Sequence, residues 1–236
     1  MRLDKFLANM GYGSRKEVKK LLKTGAVRVN EEVIKDAKKH IAIEQDQVVV
    51  NGEEVEYKEF VYLMMNKPQG VISATEDAHE QTVVDLLELE DARYEPFPVG
   101  RLDKDTEGFV LLTNNGKLSH ELLSPKKHVP KTYYARIQGK VTDEDIEKFK
   151  NGVTLDDGYK TKPGVLVILK SDEVSEIELT ITEGKFHQVK RMFQAVGKKV
   201  TYLKRLSIGP LLLDATLDLG EYRELTEDEV EKLVNR

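Results

Sequence analysis

The pattern of apolar and polar residues changes near residue 56 of the chain. Residues 1–56 contain one clear helical repeat, SRKEVKKLLKTG (14–25), followed by two short alternating segments, AVRVN (26–30) and QVVVNGEEV (47–55). Asn51-Gly52 lies in the second segment and is typical of a tight hairpin turn. Two short helices and a few small strands are therefore expected here, as a compact α/β module.

The remainder, 60–236, alternates longer apolar segments with amphipathic ones. Predicted strands are 60–66, 108–113, 132–138, 164–169, 175–182 and 199–206. Predicted helices are 82–88, 117–123, 142–150, 187–196 and 226–235. Because helices fall irregularly between strands, the pattern favours a mixed, mainly antiparallel sheet with flanking helices over a doubly wound sheet. The predicted fold class is α+β, with domains at 1–56 and 60–236.

Local capping signals support two of these helices. Ser14 with Glu17, and Thr226 with Glu229, have the spacing of a capping box, in which each residue of the pair bonds to the other's backbone. Gly25 is placed to end the first of these helices, since glycine readily adopts the left-handed conformation found there.

Composition excludes several classes of protein. The chain has 236 residues, no cysteine and only five histidines, so it has no disulfide or thiolate metal site, and the histidines show no paired metal-ligand spacing. No apolar run has the roughly 18 residues of a membrane helix, and the N-terminus lacks a signal peptide. Phosphate-binding glycine motifs are also absent. A soluble, cytoplasmic protein is expected, and the sequence gives no support for a thiolate metal site or a phosphate-cradling nucleotide site.

Charge is unevenly distributed, although the net charge is only −5. Residues 1–28 contain eight Lys/Arg and two acids, and residues 184–206 contain seven Lys/Arg and no acid. Such patches can bind a polyanion locally; the alternative is ordinary solvated helix faces. One face of the first amphipathic helix carries cations alone, which repel one another and favour an external polyanion. They are Arg15, Lys16, Lys19, Lys20 and Lys23.

A charged stretch, VGRLDKDTEGFVLLTNNG (99–116), precedes a purely apolar strand. In an extended segment, Asp103 and Asp105 would aim at one side about 6.5 Å apart, with Arg101 on the same side. Paired carboxylates suit the acid and base of a glycosidase. A single ionised aspartate could instead act as nucleophile or base on a sugar or nucleobase. An ordinary solvent-exposed turn is the third interpretation, and the shared side of the two carboxylates and Arg101 counts against it. The spacing does not separate the two chemistries.

The N-terminal module resembles a small RNA-binding domain first described in the fourth small-subunit ribosomal protein, here the S-four domain. The resemblance rests on MRLDKFLANMGYGSRKEVKKLLKTGAVRVNEEVI, which begins at Met1, and it covers about 55 residues. It implies binding to structured RNA and leaves the chemistry open.

The larger part resembles the RNA pseudouridine synthases of the ribosomal small-subunit type. The ordered motifs are NKPQGV (66–71), GRLDKDTEGFVLLTNNG (100–116), KTYYA (131–135) and EGKFHQVKRMFQAVG (183–197), and the final LKRLSIGPLLLD also fits. That family breaks the glycosidic bond of a uridine in RNA, turns the uracil and rejoins it through carbon five. The resemblance implies no metal, nucleotide or redox cofactor.

The resemblance implies roles for individual residues. Asp103 would be the catalytic aspartate, attacking ribose or uracil or abstracting a ribose proton. Tyr133 would stack on the target base, Lys190 would pair with the catalytic carboxylate, and Arg101 would help position RNA. Neighbours on a strand face oppositely, so one of the Tyr133–Tyr134 pair is expected in the core. The residues expected to contact RNA are Arg2, Arg15, Lys16, Lys19, Lys20, Lys23, Arg28, Lys131 and Arg191.

Three further residues receive structural interpretations. His187 is interpreted as a helix-start residue rather than a base. Asp105 and Glu107 are interpreted as acids that organise the loop by pairing with Arg101 or Lys104.

The expected substrate is small-subunit ribosomal RNA within an assembly intermediate, modified by a monomer. The alternatives are a paralogue that acts on large-subunit RNA and a non-catalytic RNA-binding assembly factor.

Overall fold

Two compact units make up the computed structural model, which describes residues 1–124 and 126–234. One unit comprises Met1–Val61 and Glu88–Pro96, and the other comprises Tyr62–Leu87 and Phe97–Arg236. Within the described ranges, no helix is both long and apolar enough to cross a bilayer.

The first unit contains the two predicted helices and the predicted small antiparallel sheet, and the segment Glu88–Pro96 adds a short third helix that was not predicted. Its strands pair in the order β2-β1-β3-β4. Its elements are α1 (Leu3–Asn9), α2 (Arg15–Thr24), β1 (Val27–Val29), β2 (Glu32–Val33), β3 (Val48–Val50), β4 (Glu53–Glu54) and the short α3 (Leu89–Ala92).

Local sequence signals position these elements. The Ser14–Glu17 capping box is formed at the start of α2, and Gly25 ends the helix in the left-handed conformation with φ 81°. Asn51 and Gly52, between β3 and β4, both have positive φ, 53° and 91°. Two adjacent residues with positive φ give the turn whose twist matches a hairpin. These predictions are confirmed.

Helix α2 separates its apolar and charged faces. Val18 and Leu22 are fully buried, and they pack in one cluster with Leu3, Phe6 and Val50. The cations of the opposite face are exposed, and in the described parts of the chain none of them forms an ion pair. These residues are Arg15, Lys16, Lys19, Lys20 and Lys23.

The second unit is built on a nine-stranded mixed sheet. Its main path runs in the order β13-β5-β7-β11-β8-β10-β9, with β12 and β6 attached to β11 and β7. The strands are β5 (Tyr62–Lys67), β6 (Phe97–Pro98), β7 (Glu107–Thr113), β8 (Lys131–Gln138), β9 (Val165–Lys170), β10 (Val174–Ile181), β11 (Lys199–Ile208), β12 (Leu211–Leu212) and β13 (Tyr222–Glu224). The helices are α4 (Gly116–Leu123), α5 (Asp143–Lys150), α6 (Gln188–Ala195) and α7 (Glu227–Val234).

The pairing of β7 with β11 is parallel, and the other strand pairs described in this sheet are antiparallel. This confirms the mixed, mainly antiparallel prediction. Each predicted strand is present within two residues of its expected bounds. The short β6, β12 and β13 have too few residues to show an alternation and were not predicted.

The helix predicted over 82–88 is wrong. The segment holds one turn of 3₁₀ helix, Val84–Leu86. Its beginning pairs with Ile72: the Ile72 N–H donates to the Gln81 carbonyl at 3.0 Å, and the Val83 N–H donates to the Ile72 carbonyl at 3.0 Å. The Gln81 carbonyl, which would accept from residue 85 in a helix that begins at residue 82, is thus bonded to Ile72 instead. The helix predicted over 226–235 is α7, and position 235 lies outside the described residues.

Candidate active site

Asp103 lies in a tight turn before β7. The Thr106 N–H donates to the Asp103 carbonyl at 3.0 Å, which closes the turn. The expectation of an extended segment is therefore wrong. The reason is topological: β6 pairs antiparallel with β7, so the chain between them must reverse. Asp103 and Asp105 still reach a common partner, because the turn brings both side chains toward α6.

The NKPQGV segment supports this turn from inside the protein. Lys67 is fully buried, and its ammonium donates to the carbonyls of Pro68 and Thr106, each at 2.8 Å. Nearby, the Ser73 hydroxyl bonds to both the N–H and the carbonyl of Leu102, at 3.0 and 3.1 Å. Burial lowers the pKa of Lys67 to about 8, against the attraction of neighbouring carboxylates. The sequence motif identified this segment but not its role as the support of the turn that carries Asp103.

Lys190 of α6 joins the two carboxylates. Its Nζ lies 2.9 Å from Asp103 Oδ2 and 2.6 Å from Asp105 Oδ1. Burial by itself lowers the pKa of Lys190, but the hydrogen bonds that its ammonium donates to the two aspartates outweigh this effect, and the pKa is raised. The pKa of Asp105 is lowered, because its bond to Lys190 outweighs the effect of burial. The expected pairing of Lys190 with the Asp103 carboxylate is thus present in the structure.

His187 immediately precedes α6, as the helix-start interpretation requires. It has positive φ, 48°, and its side chain does not cap the helix. Its ring stacks on Phe186 with centroids 3.7 Å apart, and its Nε2 lies 3.6 Å from Asp103 Oδ1. The sequence interpretation missed this second feature, since nothing in the local pattern placed the ring beside the aspartate.

The loop-organising pairs expected of Asp105 and Glu107 are wrong. Asp105 bonds to Lys190, and Glu107 accepts a hydrogen bond from the Tyr202 hydroxyl at 2.5 Å. Lys104 instead pairs with Glu80 at 2.6 Å. Glu107 begins β7 next to β11, so the sheet brings it to Tyr202. These partners come from distant parts of the chain, which sequence spacing does not show.

Asp103 opens onto a cavity of about 250 Å³ in the second unit. Tyr133 is buried, with 7 % of its surface exposed, and lines the cavity wall. Tyr134 faces the other side of the sheet and donates to Glu176 at 2.6 Å. Besides these aromatic and acidic groups, the wall is rich in cations. They are Arg101, Lys131, Lys162, Lys185 and Arg205.

The remaining cations expected to bind RNA fall into two groups: those that bond to acidic side chains, and those that are exposed or line the cavity. Arg191 forms ion pairs with Asp156 and Asp157, and Arg2 bonds through Nε and Nη2 to Asp4. The first unit carries the exposed α2 cations and the exposed Arg28, while Lys131 lies in the cavity wall of the second. In the described portions of the chain, no cluster of three or more His, Asp or Glu has the arrangement of a metal site.

Sequence comparison identifies both parts of the chain. A profile of the RNA pseudouridylate synthases matches residues 61–195. A second profile, that of the S4 domain, which is the S-four domain, matches residues 1–41. The chain belongs to the RNA pseudouridylate synthase family.

Three relatives illustrate the breadth of the family. The uncharacterized RNA pseudouridine synthase YtzG of Bacillus subtilis (strain 168) is 60% identical over 99% of this chain and 98% of its own length. Ribosomal small subunit pseudouridine synthase A of Vibrio vulnificus (strain CMCP6) is 42% identical over 99% of both chains. Ribosomal large subunit pseudouridine synthase B of Bacillus subtilis (strain 168) is 41% identical over 98% of this chain and 95% of its own.

The fold also has a solved counterpart. A crystal structure of a pseudouridylate synthase matches this chain with a TM-score of 0.70 at 38% identity, covering 99% of this chain and 100% of the other. The fold class expected from sequence and the membership of an isomerase family are therefore confirmed.

Proposed function

We propose that this protein isomerises one uridine of ribosomal RNA to pseudouridine, with Asp103 as the catalytic group. The observation that carries the proposal is the placement of Asp103: it lies at a cavity with one wall formed by Tyr133, and Lys190 holds its carboxylate by a bond of 2.9 Å. The family supplies the reaction, and the site supplies a group able to perform it.

The geometry favours a single catalytic aspartate over the paired acid and base carboxyl groups of a glycosidase. A glycosidase places its two carboxyl groups on either side of the scissile bond. Here Asp103 and Asp105 both bond to the same Lys190 ammonium, so they approach one point from the same side. Asp105 is therefore assigned to holding Lys190, and Asp103 to the reaction.

Isomerisation requires that the target nucleotide leave the RNA stack. An enzyme that acts on a base turns the base into a pocket and replaces its lost neighbours. Stacking on an aromatic side chain contributes about 1–3 kcal/mol per base, which is comparable to the cost of unstacking. Tyr133 is assigned this role, because it is the tyrosine of the KTYYA pair that faces the cavity.

The reaction balances without a cofactor. The bond between ribose C1′ and uracil N1 breaks, and a bond between C1′ and C5 forms. The proton on C5 is lost and N1 gains one, so no electrons enter or leave. Asp103 can form a transient bond to the ribose or the base, or take a ribose proton. The protein must keep the detached uracil in the pocket until the new bond forms.

We assign residues 1–56 to RNA binding and residues 60–236 to catalysis. The exposed cations of α2 support the first assignment, and Arg101 and Lys131 at the cavity support RNA contacts in the second. Arg2 and Arg191 would contribute to RNA binding only if each guanidinium bonded to an RNA phosphate as well as to its present acidic partners. We infer that a monomer acts in the cytoplasm on small-subunit RNA in an assembly intermediate.

Mapping of pseudouridines in ribosomal RNA, from cells with and without the gene, tests the proposal. We expect one site to lose its modification and to regain it when the wild-type gene is restored. A site in small-subunit RNA supports the assignment above, whereas a site in large-subunit RNA replaces it with the paralogue function. An unchanged map contradicts enzymatic action on ribosomal RNA and favours the non-catalytic assembly factor.

A further inference from the structure

Arg205 of β11 is a buried charge with very few partners. Only 2 % of its surface is exposed, and its Nε donates to the Phe109 carbonyl at 2.7 Å. In the described part of the chain, its Nη2 has no hydrogen-bond partner and no carboxylate pairs with the guanidinium. Arginine has five N–H donors and no acceptor, so most of its capacity is unused.

The other buried charges among residues 1–124 and 126–234 have partners. Asp4 pairs with Arg2 at 2.7 Å, and Asp145 pairs with Lys198 at 2.9 Å. Lys67 is surrounded by backbone carbonyls. A buried charge without such partners is strongly destabilising. Arg205 departs from the pattern that the rest of the chain follows.

The position of Arg205 connects it to the site. It lies opposite Tyr133 in the β8–β11 register and opposite Gly108 in the β7–β11 register, and its side chain lines the cavity. A Cβ at Gly108 would collide with the Arg205 backbone, so the strands approach closely just beyond the catalytic turn. Thr106, also in the cavity wall, has a buried hydroxyl without a partner within the described ranges.

We propose that Arg205 binds the uracil ring of the target nucleotide by donating to its carbonyl oxygens, which makes it a base-binding and specificity-determining residue. This inference rests on the proposed function. The ligand must present an acceptor, because guanidinium only donates. Uracil presents two carbonyls, one on each side of N3. Cytosine replaces one of them with an amino group, a donor that cannot accept from Arg205.

The same contact suits the turning of the base. Rotation of uracil about the N3–C6 axis exchanges N1 with C5 and, at the same time, exchanges the two carbonyls. A fixed donor beside Tyr133 therefore meets a carbonyl oxygen before and after the rotation. Such a contact would hold the detached base in the pocket after the C1′–N1 bond breaks and until the C1′–C5 bond forms. Cytosine lacks this symmetry and would lose the contact in one of the two orientations.

The first test compares stability with activity. Arg205→Met removes the unpaired charge and keeps a long apolar side chain, and Arg136→Met, at an exposed arginine of β8 on the other face, serves as the control.

The RNA substrate for the activity assay is ribosomal RNA prepared from cells lacking the gene. We expect Arg205→Met to lower the single-turnover rate at saturating RNA by roughly 10- to 100-fold. Its Tm should be equal to or higher than that of the wild type, because an apolar isostere often replaces a buried charge without loss. Arg205→Lys should recover part of the rate.

The second test measures base discrimination with a short RNA around the mapped uridine and its cytidine counterpart as competitor. Wild-type protein should bind the cytidine RNA at least about 10-fold more weakly than the uridine RNA, and Arg205→Met should bind the two nearly equally. The salt dependence of binding should remain that of the wild type, since a contact to a base releases no phosphate counterion.

Each contrary result has a separate meaning. A fall in Tm that accompanies the loss of rate would show a structural role and overturn the inference. A salt slope reduced by about 0.7–0.9 would show a phosphate contact and also overturn it. Wild-type rate and discrimination in Arg205→Met would refute the inference alone, because pseudouridine would still form. If the wild-type protein forms no pseudouridine in ribosomal RNA, the proposed function fails and the inference fails with it.

Discussion

Lys190 is the residue whose replacement tests the organisation of the site. Its ammonium bonds to Asp103 and Asp105 at 2.9 and 2.6 Å, while about a quarter of its side chain, 24%, remains exposed. A hydrogen bond between charged groups contributes about 1.5–3 kcal/mol, and partial exposure favours the lower part of that range. Because 1.36 kcal/mol corresponds to a factor of ten, removing Lys190 should slow the reaction on the order of 10- to 100-fold.

The assay is a single turnover at saturating ribosomal RNA, which separates the chemical step from binding. We expect the full loss in Lys190→Met, whose side chain is of similar length but uncharged. Lys190→Arg should retain part of the rate, since the charge remains while its geometry changes. Lys148→Met is a suitable control, because Lys148 pairs with Glu144 on the surface of α5.

A different role for Lys190 would give a different result. If Lys190 contacts only an RNA phosphate, Lys190→Met should weaken binding and reduce the salt slope by about 0.7–0.9. Its rate at saturating RNA would then equal that of the wild type. That outcome would refute the assignment of Lys190 as the partner of the catalytic carboxylate.

Three further predictions concern other parts of the protein. Tyr133→Phe should preserve base docking and most of the rate, whereas Tyr133→Leu should reduce both; equal rates for the two variants would exclude stacking. Hydrogen bonds from Arg223 lower the pKa of Glu229 from 4.5 to about 2, so this stabilisation is present above pH 4.5 and is lost as pH falls through 2. Glu229→Gln should therefore lower the free energy of unfolding at pH 7 by about 3 kcal/mol, and denaturant titrations should show this difference from the wild type closing in acid; a constant difference would contradict the linkage. Replacing Lys19 and Lys23 of α2 together with glutamine should reduce the salt slope of RNA binding by about 1.4–1.8, and an unchanged slope would remove α2 from the RNA interface.

Much of the fold was predictable because its signals are local. Capping at Ser14 and the glycine at position 25 depend on a few neighbouring residues, and the apolar strands are long enough to show their pattern. The helix prediction over 82–88 failed because the start of that segment forms backbone hydrogen bonds with the distant Ile72. Strand β12 has only two residues and could be found only from its pairing with β11.

The site was predictable where a motif named its residues and unpredictable where distant contacts set their roles. Asp103 and Lys190 were paired by resemblance, and the structure brings them together. The basic region at 184–206 predicted cations, but not that Arg191 would bind acids 34 and 35 positions earlier, at 157 and 156. It gave equally little indication that Arg205 would be buried, because burial depends on how β11 packs between β7 and β8.

The most direct test of the central claim is restoration of the lost pseudouridine by variants of Asp103. Cells lacking the gene would receive the wild-type gene, Asp103→Asn or Asp105→Asn, and pseudouridine would be measured at the mapped site. The Asp103→Asn side chain has almost the same volume and no negative charge, so RNA binding should persist. We predict full modification with the wild-type gene, none with Asp103→Asn and partial modification with Asp105→Asn. Modification at the wild-type level by Asp103→Asn would contradict the assignment of Asp103 as the catalytic group.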